Sequence, residues 1–234
     1  MRRGGKLRKK LGQLFLAILA ALVCYQLWFL VQILYWKDNN PKATRFMELR
    51  LQNVRDRNPQ ARLQQHWMSY DRISIHLKRA IIAAEDAKFI GHEGFDWEGI
   101  QKAMEKNQRR GRIVAGGSTI SQQLAKNLFL SGERSLPRKA QEAIITEMLE
   151  ALMTKRRIFE IYLNVVEWGE GVFGAEAAAR HYFGTSASNL GPEQAALLAA
   201  MLPRPRYYDR NRDSPYLAQY ADTIRVRMSS SQVP

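Results

Sequence analysis

Cysteine occurs once in the 234 residues, at Cys24, which excludes an internal disulfide framework and any multi-cysteine zinc site. Strand-like alternation is nearly absent and no repeat or low-complexity tract appears, so the pattern is mostly helical. Acid is also scarce. Asp and Glu number 22 against 36 Lys and Arg, and the resulting +14 calls for a polyanionic partner: nucleic acid, anionic lipid or a phosphorylated substrate. What is plentiful is apolar side chain, 46% of the total, which rules out disorder and leaves room for a catalytic-size domain plus an appendage.

The position of the charge separates these partners. Arg2, Arg3, Lys6, Arg8, Lys9 and Lys10 stand in a leader of ten residues that holds no acid. From Leu11 to Trp36 no side chain is charged, and 26 residues at about 1.5 Å each reach about 39 Å, enough to cross a hydrocarbon layer of about 30 Å with tilt. Tyr25, Trp28, Tyr35 and Trp36 crowd the far half as an interfacial belt would, and the basic leader predicts a cytoplasmic N-terminus. A cleaved signal peptide would carry a shorter apolar core ending at small residues, whereas this run continues past Ala20 and Ala21 into bulky side chains. Val23 likewise argues against lipoprotein processing at Cys24. Residues 37–72 are polar and basic with Pro41 and Pro59, and are expected to form a stalk or a loosely packed segment beyond the membrane. Helical periodicity begins near Ile73 and runs to about residue 228, with 229–234 as a tail.

Three near-miss motifs weigh against nucleotide and zinc chemistry. Gly111 to Gly116 has phosphate-loop spacing, but Gly117 stands where the motif needs lysine. Gly169, Gly171 and Gly174 spell a dinucleotide fingerprint, yet they follow a long helical pattern rather than opening a strand-helix-strand unit. The string His92 Glu93 Gly94 Phe95 Asp96 is half a zincin with aspartate for the second histidine, and Gly94 disfavours the required helix. His66, His76 and His181 read as structural or surface residues. No basic-aromatic stripe or reader motif for nucleic acid appears.

Three polar constellations remain. Glu85 and Asp86 follow Ile81 Ile82 Ala83 Ala84 and open the string EDAKFIGHEGFD; a carboxylate against apolar walls must be paired or have its pKa raised, and raised basicity suits a general base. A helix-end carboxylate pair satisfied by backbone and Lys88 is the plainer alternative. In GGSTISQQLAKN, residues 116–127, Ser118 is expected to cap a helix on which Ser118, Gln122 and Lys126 form one row and Thr119, Gln123 and Asn127 the next, opposite Ile120, Leu124 and Leu128. A solvated face would produce the same rows, although hydroxyls, amides and one lysine suit sugar hydroxyls and phosphate. In ERSLPRKAQEAI, residues 133–144, Pro137 suits a first helical turn, and Glu142 lies on the side of Arg138. Arg134, Arg138 and Lys139 at that helix start oppose its macrodipole, a cost an anionic ligand would offset.

Together these strings resemble the peptidoglycan glycosyltransferases, which polymerise lipid II into glycan strands. The likeness covers roughly residues 73–205, including GEGVFGAEAAARHYFG (169–184) and LGPEQAALLAAMLPRP (190–205). The chain stops soon after, without the transpeptidase domain of bifunctional relatives, so it is similar to the monofunctional members. The resemblance implies a mostly α, lysozyme-like glycosyltransferase domain with a small membrane-apposed jaw, preceded by one transmembrane helix in the cytoplasmic (inner) membrane, with the catalytic domain on its outer face. It implies Glu85 as catalytic base, Asp86 as a supporting acid in the substrate site, and Glu142 as a second catalytic glutamate. It also implies Ser118, Thr119, Gln122, Gln123, Lys126, Arg134, Arg138 and Lys139 as substrate-binding residues; Ser121 replaces the commoner threonine.

The implied reaction joins a glycan on undecaprenyl pyrophosphate to the 4-hydroxyl of lipid II N-acetylglucosamine, inverting the anomeric carbon to a β-1,4 link. No cofactor is required by the sequence, though a divalent ion such as magnesium or manganese could bridge the pyrophosphate. Expected partners are lipid II, the lipid-linked glycan, membrane lipids and other cell wall synthesis and division proteins, with no nucleic acid. A glycan-cleaving lysozyme-like hydrolase and a non-catalytic anchor protein are the competing readings. The first would need a protonated acid and offers no reason for the cations; the second predicts that replacing Glu85 changes nothing.

Overall fold

Hydroxyl and carboxyl side chains placed just ahead of apolar runs decide where the helices start. Thr44, Ser74, Asp96, Thr119, Ser135 and Thr154 each accept a hydrogen bond from a first-turn amide and cap α2 (Arg45–Arg55), α3 (Ile75–Glu85), α4 (Trp97–Arg110), α5 (Ile120–Phe129), α6 (Leu136–Leu152) and α7 (Lys155–Val165). Proline in the first turn opens α9 (Pro192–Met201), α10 (Pro205–Arg210) and α11 (Pro215–Arg227), where its missing N–H costs nothing. Between α7 and α9 lie β2 (Glu167–Gly169), β3 (Val172–Phe173) and α8 (Ala175–Phe183), and β1 (Gln64–Gln65) precedes α3. The computed structural model describes residues 3–112, 116–133 and 135–234, residues 3–7 by their backbone alone. Arg134 and the leader residues Met1 and Arg2 lie outside the described residues.

The chain forms two compact units, Met1–Asn40 and Pro41–Pro234. The first is a single helix, α1 (Arg3–Asp38), about 54 Å long at about 1.5 Å per residue. Its stretch Arg8–Asp38 is long and apolar enough to cross a membrane. Leu14, Phe15, Leu16, Ile18 and the free Cys24 are exposed along it.

The second unit is built around α3. Leu77, Ala80, Ile81 and Ile82 are buried where α3 packs against α9 and α11, and the alanines of α9 allow close approach. A small sheet of order β1-β3-β2, with β1 parallel and β2 antiparallel to β3, closes the side next to α8. The fingerprint glycines belong to this hairpin and have steric duties there. Gly174 has φ +82°, and a Cβ on it would stand 2.6 Å from the Asn164 carbonyl oxygen, so no other residue fits.

Residues 37–72, expected as a loose stalk, are largely folded into this unit. Helix α2 packs on α5 and buries Met47, β1 pairs with β3, and the Asn164 side chain accepts from the Met68 N–H at 2.8 Å and donates to the Met68 carbonyl at 2.9 Å. The packed body therefore begins well before Ile73. Few apolar residues mark this segment because much of its attachment is by backbone hydrogen bonds.

Candidate active site

Helix α3 ends at Glu85, where the chain turns so that Glu85 and Asp86 face different surroundings. Asp86 is buried and committed: His92 Nε2 donates to its Oδ1 at 2.9 Å, and the Ile120 N–H donates to its Oδ2 at 3.0 Å. The Ile120 amide is the first of α5, so Asp86 ties the start of that helix to the end of α3 and compensates its dipole. Glu85 lines a cavity of about 170 Å³ together with Asp86, Asp96, Gly116, Gly117 and Ser118. Burial raises its carboxyl above the usual range; the hydrogen bond from Gln123 and the charge of Lys126 work against that rise, and Asp86 adds to it.

The α5 cap differs from the expectation. Thr119, not Ser118, caps the helix: its Oγ1 accepts from the Gln122 N–H at 3.2 Å, and Gln122 Oε1 accepts from the Thr119 N–H at 3.0 Å, a reciprocal capping box. The Thr119 hydroxyl donates to the Gly94 carbonyl at 2.6 Å. Thr119 and Gln122 are thus buried and self-satisfied, while Ser118 is exposed at the cavity. Nor is the polar side of α5 a solvated face. Ser121, Gln122 and Asn127 are buried, and Ser121 donates to Glu150, which also accepts from Lys155 Nζ at 2.7 Å.

Two α5 side chains reach toward Glu85. Gln123 Nε2 donates to Glu85 Oε2 at 2.6 Å, and Gln123 Oε1 accepts from the hydroxyl of fully buried Tyr162 at 3.0 Å. Lys126 has no hydrogen-bond or ion-pair partner among the described residues. Burial lowers its pKa; the charges of Glu142 and Glu85 raise it, and those of Arg138 and Lys139 lower it further. In the second turn of α6, buried Glu142 accepts from Arg138 at 2.7 Å and from Lys139. Arg138 Nε is buried with no acceptor among the described residues, a donor left over for an anion.

The structure thus gathers Glu85, Gln123, Lys126, Arg138, Lys139 and Glu142 into one electrostatic neighbourhood and puts Ser118 on the cavity shared with Glu85. Asp86, Thr119 and Gln122 serve the scaffold that holds them. Sequence reasoning missed Tyr162, because a tyrosine between Ile161 and Leu163 reads as core. Among the described residues no group of three or more His, Cys, Asp or Glu side chains could hold a metal ion. The carboxylates nearby are already engaged: Asp86 as above, Asp96 as the α4 cap, Glu142 by two cations.

Comparison with known proteins identifies the family. The Transglycosylase family description matches residues 52–229. A protein of Dechloromonas aromatica (strain RCB) named biosynthetic peptidoglycan transglycosylase is 64% identical over 221 residues, covering 94% of this chain and 96% of the relative. Proteins of the same name from Methylobacillus flagellatus and Azoarcus sp. (strain BH72) are 62% and 60% identical, over 94% and 96% of this chain and 96% of each relative. The site built on Glu85 and the cations of α5 and α6 lies within the matched span, and the chain belongs to the transglycosylase family.

Proposed function

We infer that this chain is a peptidoglycan glycosyltransferase that polymerises lipid II into β-1,4-linked glycan strands for the cell wall, with Glu85 as general base. The observation that carries the assignment of roles is Glu85 itself: a partly enclosed carboxyl on a cavity, pushed toward higher pKa by burial and lying in the field of the Lys126 ammonium. A sugar hydroxyl is a poor nucleophile at neutral pH, so Glu85 takes its proton as the new bond forms at the anomeric carbon, with inversion. The departing undecaprenyl pyrophosphate gains charge, which Lys126, Arg138 and Lys139 stabilise; Arg134 is assigned the same task from the sequence. Glu142 holds Arg138 and Lys139 in place. Ser118, exposed at the cavity, is the hydroxyl available to the substrate. Among the described residues there is no free carboxylate set for a divalent cation, so magnesium or manganese enters this reading only as a companion of the substrate's pyrophosphate.

Both substrates carry lipid tails, and the proposed span at residues 11–36 holds the enzyme in the cytoplasmic (inner) membrane, leader inside and catalytic domain outside. Helix α4 and its surroundings are the proposed jaw: Trp97 is 72% exposed and Met104 67%, on a helix where Lys102 and Arg109 pair with Glu98 and Glu105 and Lys106 and Arg110 add positive charge, a composition suited to an anionic lipid surface. Other cell wall synthesis and division proteins are its proposed partners.

The test is polymerisation of labelled lipid II by purified full-length protein. Glu85→Gln should lower turnover by about 10² or more, and Lys126→Ala should raise the barrier by about 2 to 4 kcal/mol. A Glu85→Gln variant within a few-fold of wild type would remove Glu85 from the base role. Shortening of preformed glycan strands, lost in Glu85→Gln but kept in Lys126→Ala, would make the protein a hydrolase instead.

A further inference from the structure

Glu85 does not meet Gln123 alone. The amide is gripped at both ends, by the Tyr162 hydroxyl on Oε1 and by the Glu85 carboxylate on Nε2. An amide side chain can turn over about its last bond, and an unheld Gln123 could present its carbonyl to Glu85, which would repel the ionised carboxylate. Tyr162 prevents this. Its ring is fully buried in the core, with Phe159 stacked at 6.4 Å. Burial, with the nearby charges of Glu85 and Asp86, holds its hydroxyl well above the usual tyrosine range, so it remains a donor at any working pH. Gln123 Oε1 is the acceptor it has.

We infer that Tyr162 is a positioning residue for the reaction: acting through Gln123, it keeps an N–H rather than a carbonyl on Glu85, holding the base ionised and aimed until a hydroxyl arrives. The inference rests on the reading of Glu85 as the base. Neither Tyr162 nor Gln123 needs to touch the reacting atoms.

The surroundings of Glu85 leave this pair as the adjustable element. From its own chain segment Asp86 faces it, with its oxygens taken by His92 and the Ile120 amide. From α5 comes Lys126, itself shared with Glu142, Arg138 and Lys139 of α6. From α11 comes Tyr220, whose hydroxyl reaches the Ala84 carbonyl at 3.4 Å and whose pKa is raised by burial and by Glu85. Asp96 shares the cavity and caps α4. Helix α9 packs on α3 with Ala195, Ala196, Leu198, Ala199, Ala200 and Met201 buried and no ionisable side chain among them.

Tyr162→Phe keeps the ring and removes only the donor. In full-length enzyme with labelled lipid II, kcat at its plateau should fall about tenfold as the base loses its aim, with KM within about twofold. The acid limb of the kcat profile should move to higher pH by about one unit, since a carboxylate that loses a donor becomes harder to ionise. A purely structural tyrosine would lower thermal stability and leave the limb in place, and that result overturns the inference. Gln123→Ala should move the limb by itself, and adding Tyr162→Phe should move it no further; additive shifts would show that Tyr162 acts independently of Gln123 and would overturn the relay. If Tyr162→Phe fails to fold, Gln123→Asn decides: one methylene shorter, it cannot reach both partners, and an unmoved limb overturns the proposal. Glu85→Gln serves as the reference, because activity there defeats the base reading, whereas loss there with an unmoved Tyr162→Phe limb defeats only the relay.

Discussion

A carboxylate half-enclosed beside apolar helix is an expense to the fold, and Glu85 carries it for the sake of its basicity. Its pKa is raised by burial, so the folded protein binds the proton more tightly than the unfolded chain does. Stability is therefore full below the unfolded value near 4.5, falls as pH rises through the window up to the folded pKa, and stays lowered above it. Replacing the carboxyl with an uncharged isostere removes that loss. Glu85→Gln should raise the thermal midpoint at pH 7 relative to wild type, and the gain should shrink toward zero as pH approaches 4.5, measured by scanning calorimetry across a pH series. A constant gain at all pH values would mean that the substitution acts through packing and not through the charge. The residue was legible in the sequence because two acids after an apolar run need an account. Tyr162 was not, because its hydroxyl does its work inside a core that any aromatic ring would fill.

At the scale of elements, α5 is where the site is assembled. Ten residues long, it carries Gln123 and Lys126 on one side and buries nearly everything else. Its start is fixed three times: by the Thr119–Gln122 capping box, by the Thr119 hydroxyl on the Gly94 carbonyl, and by Asp86 on the Ile120 amide. Thr119→Val keeps the shape and removes the first two in part, and should cost about 1 to 2 kcal/mol in urea unfolding with an unchanged m-value. Turnover should drop by more than KM changes, since Gln123 and Lys126 ride on the displaced turn. The helix and its polar rows were readable from residues 116–127, but the cap was placed one residue early, since Ser118 and Thr119 are both good caps and only the Gly94 carbonyl chooses between them. Gln122, expected on the substrate side, is engaged in the capping box. Polar side chains satisfied within the fold have the same sequence signature as those kept for a ligand.

For the whole molecule, charge and hydropathy along the chain carry the proposed orientation. The leader holds six basic residues and no acid, whereas the stretch beyond the span mixes Lys37, Lys42 and Arg45 with Asp38 and Glu48. The excess of uncompensated cations near the first end of the apolar helix should retain that end in the cytoplasm and deliver residues 41–234 to the other side. Alkaline phosphatase joined after Pro234 should then be active and a green fluorescent protein in the same place dark. The fusion needs a flexible linker, because the Pro234 carbonyl accepts from the Tyr70 hydroxyl at 2.7 Å and the C-terminus is part of the fold. Changing all six leader cations to neutral residues should weaken or invert this preference while leaving the folded unit intact. A fluorescent, phosphatase-inactive fusion of the unaltered chain would place the site on the cytoplasmic side, away from any outward-facing lipid-linked glycan, and would overturn the proposed orientation even if purified protein still polymerised lipid II.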